Sequence, residues 1–447
     1  MTGPIVAIVG RTNVGKSTLL NRLAGRQLAV VADLPGTTRD RVFAFVSWQG
    51  RELTVVDTGG WQAKPQGSLE QKVKQQLEVA IAQADAIILL VDVKDGAIAA
   101  DEEIAGVLRA ANKPIILAVN KVDSDKQTSQ VPDFYRLGIG EPVAISAHHN
   151  RGIDELMEAV LASLPAQPIS IAEPGEAKLA IVGRPNVGKS TLLNALLGEE
   201  RAIVHESPGT TRDSIDATIN WGDKRIVLVD TAGIKRRGRV GVGVDYYSLL
   251  RALQAINRCD VALLLIDASE FITAQDMHIA GYIIDAGKGV MLLVNKWDLV
   301  AQEQRERFKQ SLGQRLRFAS YAPVIYISAK SGQGIDGILP LAWEIWQERQ
   351  KQIARTAVDE LVKQVVSKHP APRTGSRRLH IVRAYQDESQ PATFILEVND
   401  PKLVHFSYQR YLDNRLRQGF GFRGVPVKVI FTKAARKINK KINVTAQ

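Results

Sequence analysis

The chain of 447 residues contains one cysteine, Cys259, and no apolar run near the ~20 residues needed to span a bilayer. A single cysteine excludes an internal disulfide framework and suits a reducing compartment. The first residues lead at once into an apolar strand, without the basic, apolar and small-residue succession of a signal peptide. We therefore expect a cytoplasmic protein without stable membrane association.

The excess of positive charge is confined to the last fifth of the chain. Residues 355–447 hold 18 Lys and Arg against 7 Asp and Glu, whereas residues 1–354 hold 40 of each. A basic terminal module beside neutral ones predicts a polyanionic partner, with nucleic acid favoured over a membrane. A merely solvated basic surface is the alternative. The seven histidines show no metal-ligand spacing, so none is assigned to a metal or to general base catalysis.

Two stretches, which differ only at their third residue, fit the phosphate-binding pattern GxxxxGK[ST]. In this pattern the second glycine lets backbone N–H groups close around a phosphate at the start of a helix. The lysine reaches the β- and γ-phosphates, and the serine offers a hydroxyl to Mg²⁺. Each stretch lies between an apolar strand and an amphipathic helix, which favours two nucleotide sites. The two stretches are Gly10-Arg11-Thr12-Asn13-Val14-Gly15-Lys16-Ser17 and Gly183-Arg184-Pro185-Asn186-Val187-Gly188-Lys189-Ser190.

Three further motifs repeat in the same order after each loop, at shifts of 173, 175 and 182 residues. Preserved order with small insertions indicates a duplicated domain. The pairs are Pro35–Asp40 with Pro208–Asp213, Asp57-Thr58-Gly59-Gly60 with Asp230-Thr231-Ala232-Gly233, Asn120-Lys121-Val122-Asp123 with Asn295-Lys296-Trp297-Asp298, and Ser146-Ala147 with Ser328-Ala329.

Within each copy, apolar strands alternate with amphipathic helices, which is typical of an α/β fold with a doubly wound, mostly parallel sheet. The strands are predicted at 5–9, 53–56, 86–91, 115–119 and 143–145, and at 179–182, 226–229, 262–266, 290–294 and 324–327. The motifs follow the carboxyl ends of these strands, where open α/β sheets bind ligands.

The NKxD segments indicate which base is bound. We expect Asp123 and Asp298 to accept hydrogen bonds from guanine N1–H and the 2-amino group, both of which adenine lacks. Asn120 and Asn295 would brace the loop and the base edge, and the stems of Lys121 and Lys296 would cover the base plane. The backbone at Ala147 and Ala329 would meet the guanine carbonyl.

The four ordered motifs resemble those of translation-factor-like GTPases. The tandem pair followed by a small basic domain is similar to the Der (EngA) family of ribosome-biogenesis GTPases over essentially the whole chain. The resemblance implies a GTP-hydrolysing factor for maturation of the large ribosomal subunit, with rRNA as partner. It also implies a KH-like third domain. We expect a monomer that does not bind DNA, with GTPase domains at 1–165 and 177–350, a linker at 166–176 and the KH-like domain at 351–447.

Hydrolysis would rest on positioning and on stabilisation of charge at the transferring phosphoryl group. Asp57 and Asp230, with Thr38 and Thr211, would complete the Mg²⁺ sites, and the amides of Gly60 and Gly233 would sense the γ-phosphate. Related GTPases place a water-orienting glutamine next, where this chain has Trp61 and Ile234. Asn13 and Asn186 match an asparagine that coordinates K⁺ in similar GTPases, which predicts slow, potassium-stimulated turnover. Alternatively, these asparagines merely tie the loop to adjacent backbone.

The C-terminal pattern predicts α-β-β-α-β: helix 353–366, strands 379–384 and 393–398, helix 404–418 and strand 425–431. Residues 421–424 mimic the GxxG loop of KH domains, but they precede a strand, so a clamp role is disfavoured. Core packing is favoured for most of Tyr408, Tyr411, Phe420 and Phe422. The basic loop 235–239 and the tail 433–441 are candidate RNA contacts or solvated segments. The rival functions are a signalling switch without RNA contact and an RNA-modification subunit.

Overall fold

The computed structural model describes residues 4–25, 43–49, 51–57, 84–111, 113–164, 175–198, 216–231, 244–374, 377–388 and 392–434. The chain divides into two compact units, one of residues 1–320 with 324–339, and the other of residues 321–323 with 340–447. The first unit contains both copies of the motif set, and the second contains most of the basic segment.

The first copy forms a six-stranded sheet in which only the edge strand β2 is antiparallel. The strand order is β2-β3-β1-β4-β5-β6, and β1 lies parallel to both β3 and β4. The strands are β1 (Ile5–Val9), β2 (Phe43–Trp48), β3 (Arg51–Asp57), β4 (Ala86–Asp92), β5 (Ile115–Asn120) and β6 (Val143–Ala144). The helices are α1 (Lys16–Gly25), α2 (Ala99–Arg109), α3 (Asp125–Thr128) and α4 (Ile153–Ser163), with a 3-10 helix at Val131–Leu137.

The second copy repeats this topology. Its strand order, β8-β9-β7-β10-β11-β12, matches the first sheet position by position. The strands are β7 (Glu176–Val182), β8 (Ala217–Trp221), β9 (Lys224–Leu228), β10 (Val261–Asp267), β11 (Gly289–Asn295) and β12 (Val324–Tyr326). The helices are α5 (Lys189–Gly198), α6 (Val244–Arg258), α7 (Ala274–Asp285) and α8 (Gln302–Arg315), with 3-10 helices at Trp297–Leu299 and Arg317–Ala319.

Central strands are buried on both faces, which explains why they read as continuous apolar runs. Every residue of β4 and of β10 is buried, because helices cover both faces of a doubly wound sheet. On the first sheet, Ile87 and Leu89 pack on the side of α2, whereas Ile88 and Leu90 pack on the side of α1 and α4. The predicted doubly wound, mostly parallel sheets are confirmed.

The second unit is built on a three-stranded sheet of order β15-β16-β17, in which β16 pairs antiparallel with β15 and parallel with β17. Its elements are α9 (Ile338–Gln350), α10 (Arg355–Lys368), β13 (Arg373–Thr374), β14 (Arg377–Arg378), β15 (Ile381–Gln386), β16 (Thr393–Val398), α11 (Phe406–Phe420) and β17 (Lys428–Lys433), with a 3-10 helix at Pro401–Leu403. From α10 to β17 the predicted α-β-β-α-β order is present, with β13 and β14 added as a short antiparallel pair.

The aromatic side chains of this unit lie in its core. Phe422 is fully buried and meets Phe394 edge to face, and Tyr408 is buried with its hydroxyl donating to the His369 carbonyl at 3.0 Å. The Phe422 amide donates to Glu348 Oε2 at 2.8 Å. The segment 421–424 is therefore held against its own unit, in agreement with core packing rather than a clamp.

Two candidate guanine-nucleotide sites

The two phosphate loops have the same backbone conformation. Gly15 and Gly188 both have φ 102°, and a Cβ atom there would lie 2.4 Å and 2.3 Å from the Nδ2 atoms of Asn120 and Asn295. Real side chains do not come this close, so only glycine fits. The need for glycine therefore arises from the NKxD motif as well as from the phosphate.

Each NKxD asparagine joins three motifs. Asn120 Nδ2 donates to the Val14 carbonyl at 2.7 Å, and Asn120 Oδ1 accepts from the Ala147 amide at 3.0 Å. Asn295 makes the same pair of bonds to Val187 and Ala329, at 2.8 Å and 2.9 Å. Both asparagines are buried, so their amides have no other way to satisfy their hydrogen bonds. The phosphate loop, the NKxD loop and the Ser-Ala segment are thus tied together in each copy.

The loop lysines fold back on their own loops. Lys16 Nζ donates to the carbonyls of Gly10 and Arg11, both at 2.7 Å, and Lys189 Nζ donates to those of Gly183 and Arg184, at 2.9 Å and 2.5 Å. Burial lowers the pKa of Lys16. Burial and the nearby Arg184 charge lower the pKa of Lys189 to about 8. Both ammonium groups are held where a phosphate would relieve their desolvation.

The base-facing lysines are also positioned alike. Lys121 Nζ pairs with Asp92 Oδ2 at 2.5 Å, and Lys296 Nζ pairs with Asp267. The backbones of both lysines are left-handed, with φ 66° and 61°. Their extended stems lie beside the position expected for the base. Val122 and Trp297, which follow them, are buried.

The carboxylate expected to read guanine differs between the copies. Asp123 Oδ1 accepts from Ser146 Oγ at 2.8 Å, and Asp123 Oδ2 pairs with Lys94 Nζ at 3.2 Å. Burial alone would raise the pKa of Asp123, but the bonds from Ser146 and Lys94 outweigh it and lower that pKa. Within the described part of the chain, no side chain forms an ion pair with the exposed Asp298.

The serine and aspartate expected to hold Mg²⁺ are adjacent in the first copy. Ser17 Oγ donates to the fully buried Asp57 at 2.6 Å, and Asp57 is the last residue of β3. In the second copy β9 ends two residues earlier, at Leu228, and Asp230 has a left-handed φ of 57° with its amide donating to Asp216 at 2.9 Å. The two copies thus diverge at the start of the second switch.

Two buried aspartates beside the phosphate loops were not predicted from sequence. Asp101 and Asp276 lie in the first turns of α2 and α7 and are fully buried. Arg184 Nε pairs with Asp276 at 2.9 Å, whereas Arg11 Nε lies 3.4 Å from Asp101. Burial raises the pKa of Asp101. The shift of 175 residues that aligns the NKxD motifs also aligns these aspartates, so self-comparison of the chain holds the missing signal.

The outer arm of each loop arginine reaches a second carboxylate. Arg11 Nη2 contacts Asp95 at 2.5 Å, and Arg184 Nη1 contacts Glu270 at 2.9 Å. Sequence reasoning placed these arginines in the loop without assigning this anchoring role. It also missed Arg22, whose Nε donates to the Ala147 carbonyl at 2.9 Å.

The asparagines predicted to contact K⁺ share one conformation. Asn13 and Asn186 have φ 66° and 65°, which asparagine tolerates better than most residues, and both are exposed. Thr12 is exposed and Pro185 half-buried beside them, whereas Val14 and Val187 are buried.

Part of the predicted machinery lies outside the described residues, namely Thr38, Thr58, Gly59, Gly60, Trp61, Thr211, Ala232, Gly233 and Ile234. The basic loop 235–239, residues 165–174 of the linker region and the tail from residue 435 lie outside them too. Ser190, Asp230 and Thr231 are described, and Ser146, Ser328 and Thr231 are buried.

Two general searches of the described residues gave no candidates. No group of three or more His, Cys, Asp and Glu there is arranged to hold a metal ion. Within the same residues, no helix combines the length and apolar character needed to cross a membrane.

Two phosphate loops, each tied by an asparagine to a base-recognition loop at the carboxyl end of a doubly wound sheet, define tandem P-loop GTPase domains. The family model described as "50S ribosome-binding GTPase" matches residues 5–121 and 178–296. The C-terminal KH-domain-like model of EngA bacterial GTPase enzymes matches residues 352–432.

Curated relatives match nearly the whole chain. GTPase Der of Chloroflexus aggregans is 45% identical over 98% of this chain and 99% of its own, and that of Moorella thermoacetica is 46% identical over 98% and 100%. GTPase Der of Geobacillus sp. is 43% identical over 96% and 99%. The chain therefore belongs to the GTPase Der family, with two G domains and a C-terminal KH-like domain.

Proposed function

We propose that this GTPase binds and hydrolyses GTP at both sites and acts in assembly of the large ribosomal subunit. In this proposal the nucleotide state of the two G domains gates an RNA-facing surface on the basic KH-like domain. The observation that carries the nucleotide assignment is the buried asparagine tie, made with matching geometry in both copies. The confinement of the net positive charge to residues 355–447 carries the RNA assignment.

Each residue has a defined part in this proposal. Asp123 and Asp298 accept from the guanine edge, and the serines of the Ser-Ala segments hold that loop. Lys16 and Lys189 leave the loop carbonyls to neutralise the β- and γ-phosphates. Catalysis then rests on positioning and on charge stabilisation of the transferring phosphoryl group.

The oxygen atoms at the first site fit Mg²⁺. A serine hydroxyl and a buried aspartate carboxylate 2.6 Å apart are hard oxygen donors of the kind this ion prefers, directly or through water. Ser17 and Asp57, with Thr38, would hold it, as would Ser190, Asp230 and Thr211 at the second site. When bound, Mg²⁺ bridges and neutralises phosphate oxygens.

The absence of a glutamine at Trp61 and Ile234 supports slow, K⁺-stimulated hydrolysis, with Asn13 and Asn186 as K⁺ contacts. We expect GTP turnover several-fold higher in KCl than in NaCl at equal ionic strength. Asn13→Ala and Asn186→Ala should each remove this preference at their own site. Equal turnover in the two salts would exclude the potassium role.

The ribosome assignment is tested on the full chain with a charge-reversal triple variant, Arg377→Glu, Arg378→Glu and Arg383→Glu. These arginines are exposed on β14 and β15. Cosedimentation with large ribosomal subunits should fall at least tenfold, and the wild-type protein should lose binding steeply as salt rises, because neutralised phosphates release counterions.

The matched control reverses three exposed charges on α8 of the second G domain, Arg307→Glu, Lys309→Glu and Arg315→Glu. It should retain binding. If both triple variants lose binding equally, the effect reflects net charge and the KH-like surface is not the RNA contact. If neither loses binding, the RNA surface lies elsewhere on the chain.

A further inference from the structure

The base ends of the two sites differ in charge. Around Asp123 the first site carries Lys94, His149 and Arg151, where the aligned residues of the second site are Ser269, Ser331 and Gln333. Lys94 Nζ lies 3.2 Å from Asp123 Oδ2, and His149 Nε2 lies 4.0 Å from Asp123 Oδ1. Arg151 Nη1 donates to the Asp123 backbone carbonyl at 3.0 Å. The first base-reading carboxylate is thus surrounded by basic groups, and the second is not.

The contrast between Lys94 and Ser269 is confined to the side chain. Both residues follow a buried aspartate by two positions, and both donate their backbone amide to it, at 3.0 Å to Asp92 and 2.9 Å to Asp267. From this shared turn, Ser269 Oγ bends back to Asp267 at 2.6 Å, whereas Lys94 extends across to Asp123. An exchange of the two side chains therefore requires no change of backbone.

Both oxygens of Asp123 are engaged, one by the Ser146 hydroxyl and the other by the Lys94 ammonium. A guanine edge, with N1–H and the 2-amino group, needs both oxygens as acceptors. A carboxylate that shares an oxygen with an ammonium is a weaker acceptor, and an ammonium that withdraws must break an ion pair. Either event costs binding free energy at the first site only.

Resting on the proposed guanine-nucleotide function, we infer that Lys94 is a specificity-determining residue of the first site that competes with the guanine edge for Asp123. It makes that site bind GDP more weakly, release it faster and select guanine less strictly than a serine would. The second site, with Ser269, has no such competitor.

The test measures each site separately in the full chain. Asp298→Asn silences guanine binding at the second site, and Asp123→Asn silences it at the first. In the Asp298→Asn background, Lys94→Ser should raise GDP affinity and slow release of a fluorescent GDP by about two- to fivefold, the range for an exposed ion pair. In the Asp123→Asn background, Ser269→Lys should lower affinity by a similar factor.

Inosine diphosphate gives a readout that a purely structural role would not move, since hypoxanthine lacks the 2-amino group. Lys94→Ser should raise the ratio of the dissociation constants for inosine and guanosine diphosphates at the first site. Lys126→Ser, which removes an exposed lysine of the same region, is the control and should change neither quantity.

Weaker GDP binding by Lys94→Ser, or an unchanged ratio of inosine to guanosine diphosphate binding, would overturn the inference. A different failure would concern the proposed function itself. If neither silenced background lost a guanine site, the assignment of Asp123 and Asp298 would be wrong, whatever Lys94 did.

Discussion

The two candidate sites agree closely at the phosphate loop and diverge at its periphery. The asparagine ties differ by 0.1 Å between the copies, and Asn13 and Asn186 differ by one degree in φ. By contrast, the loop arginine sits 3.4 Å from its buried aspartate in the first copy and 2.9 Å in the second. The base-reading aspartate is ion-paired only in the first.

This pattern separates two kinds of constraint. Contacts made by buried amides and backbone cannot drift, because an unsatisfied buried hydrogen bond costs about 1–3 kcal/mol. Partly exposed ion pairs contribute about 0–1 kcal/mol, so substitution there is tolerated and can tune a site. The duplicated domains keep the first kind and vary the second.

The largest expected effect comes from the base-reading carboxylates. Asp123→Asn and Asp298→Asn should each weaken GTP binding at one site about 100-fold or more, because two charge-assisted bonds of about 1.5–3 kcal/mol each are lost. Each variant should gain affinity for xanthosine nucleotides, since the amide donates to the extra xanthine carbonyl. Titration with both nucleotides checks this, and a double variant with wild-type GTP affinity would refute the base assignment.

Loss of the asparagine tie should affect both sites equally. Asn120→Ala or Asn295→Ala removes two hydrogen bonds and strands a carbonyl and an amide, which should cost about 2–4 kcal/mol of nucleotide binding at its own site. Calorimetric titration of each single variant measures it. Effects that differ by more than tenfold between the variants would show that the matching distances hide unequal contributions.

The loop arginines should separate the copies. Arg184→Met strips the close partner from a fully buried carboxylate and should destabilise the second G domain by about 3 kcal/mol, the lower range for a broken buried pair. Arg11→Met should cost less, since its Nε contact with Asp101 is longer. Hydrogen exchange in α7 and α2 reports the two losses.

Asp276→Asn added to Arg184→Met is the matched control. It should restore part of the loss, because the uncompensated buried charge is then gone. A larger effect of Arg11→Met than of Arg184→Met would reverse the ranking taken from the distances.

A buried carboxylate with a weaker partner gives the smallest effect. Burial raises the pKa of Asp413 on α11 to about 7, although the Arg417 and Arg410 charges act in the other direction. Because this folded-state pKa lies above the unfolded value of about 3.9, the folded state binds the extra proton, and its stability falls as pH rises from about 4 to 7.

Asp413→Asn should therefore stabilise the KH-like domain by about 1–3 kcal/mol at pH 8, with little gain near pH 4. Hydrogen exchange over residues 406–420, compared between variant and wild type at each pH, checks the direction. Glu360→Gln, at an exposed position on α10, is the control. A gain that is the same at both pH values would rule out the Asp413 titration as its cause.

The central strands and the motif ends could be predicted because apolar runs and glycine spacing are local signals. The edge strands β2 and β8 were missed, since Phe43–Trp48 and Ala217–Trp221 mix polar residues into a half-exposed antiparallel edge. The roles of Lys94, Asp101 and Asp276 could not be read from local pattern, because their partners lie 29, 90 and 92 residues away in the chain. A charged residue in a loop looks the same whether it is solvated or paired.

The asparagine tie also sets the order in which the protein becomes functional during its synthesis. Val14 cannot be anchored until Asn120 and Ala147 have left the ribosome, and the second tie awaits Ala329, 182 residues later. At about 5–20 residues per second, the first nucleotide pocket is complete about 10–40 s before the second. A growing chain therefore passes through a one-site stage in which only the pocket guarded by Lys94 can sample cellular guanine nucleotides.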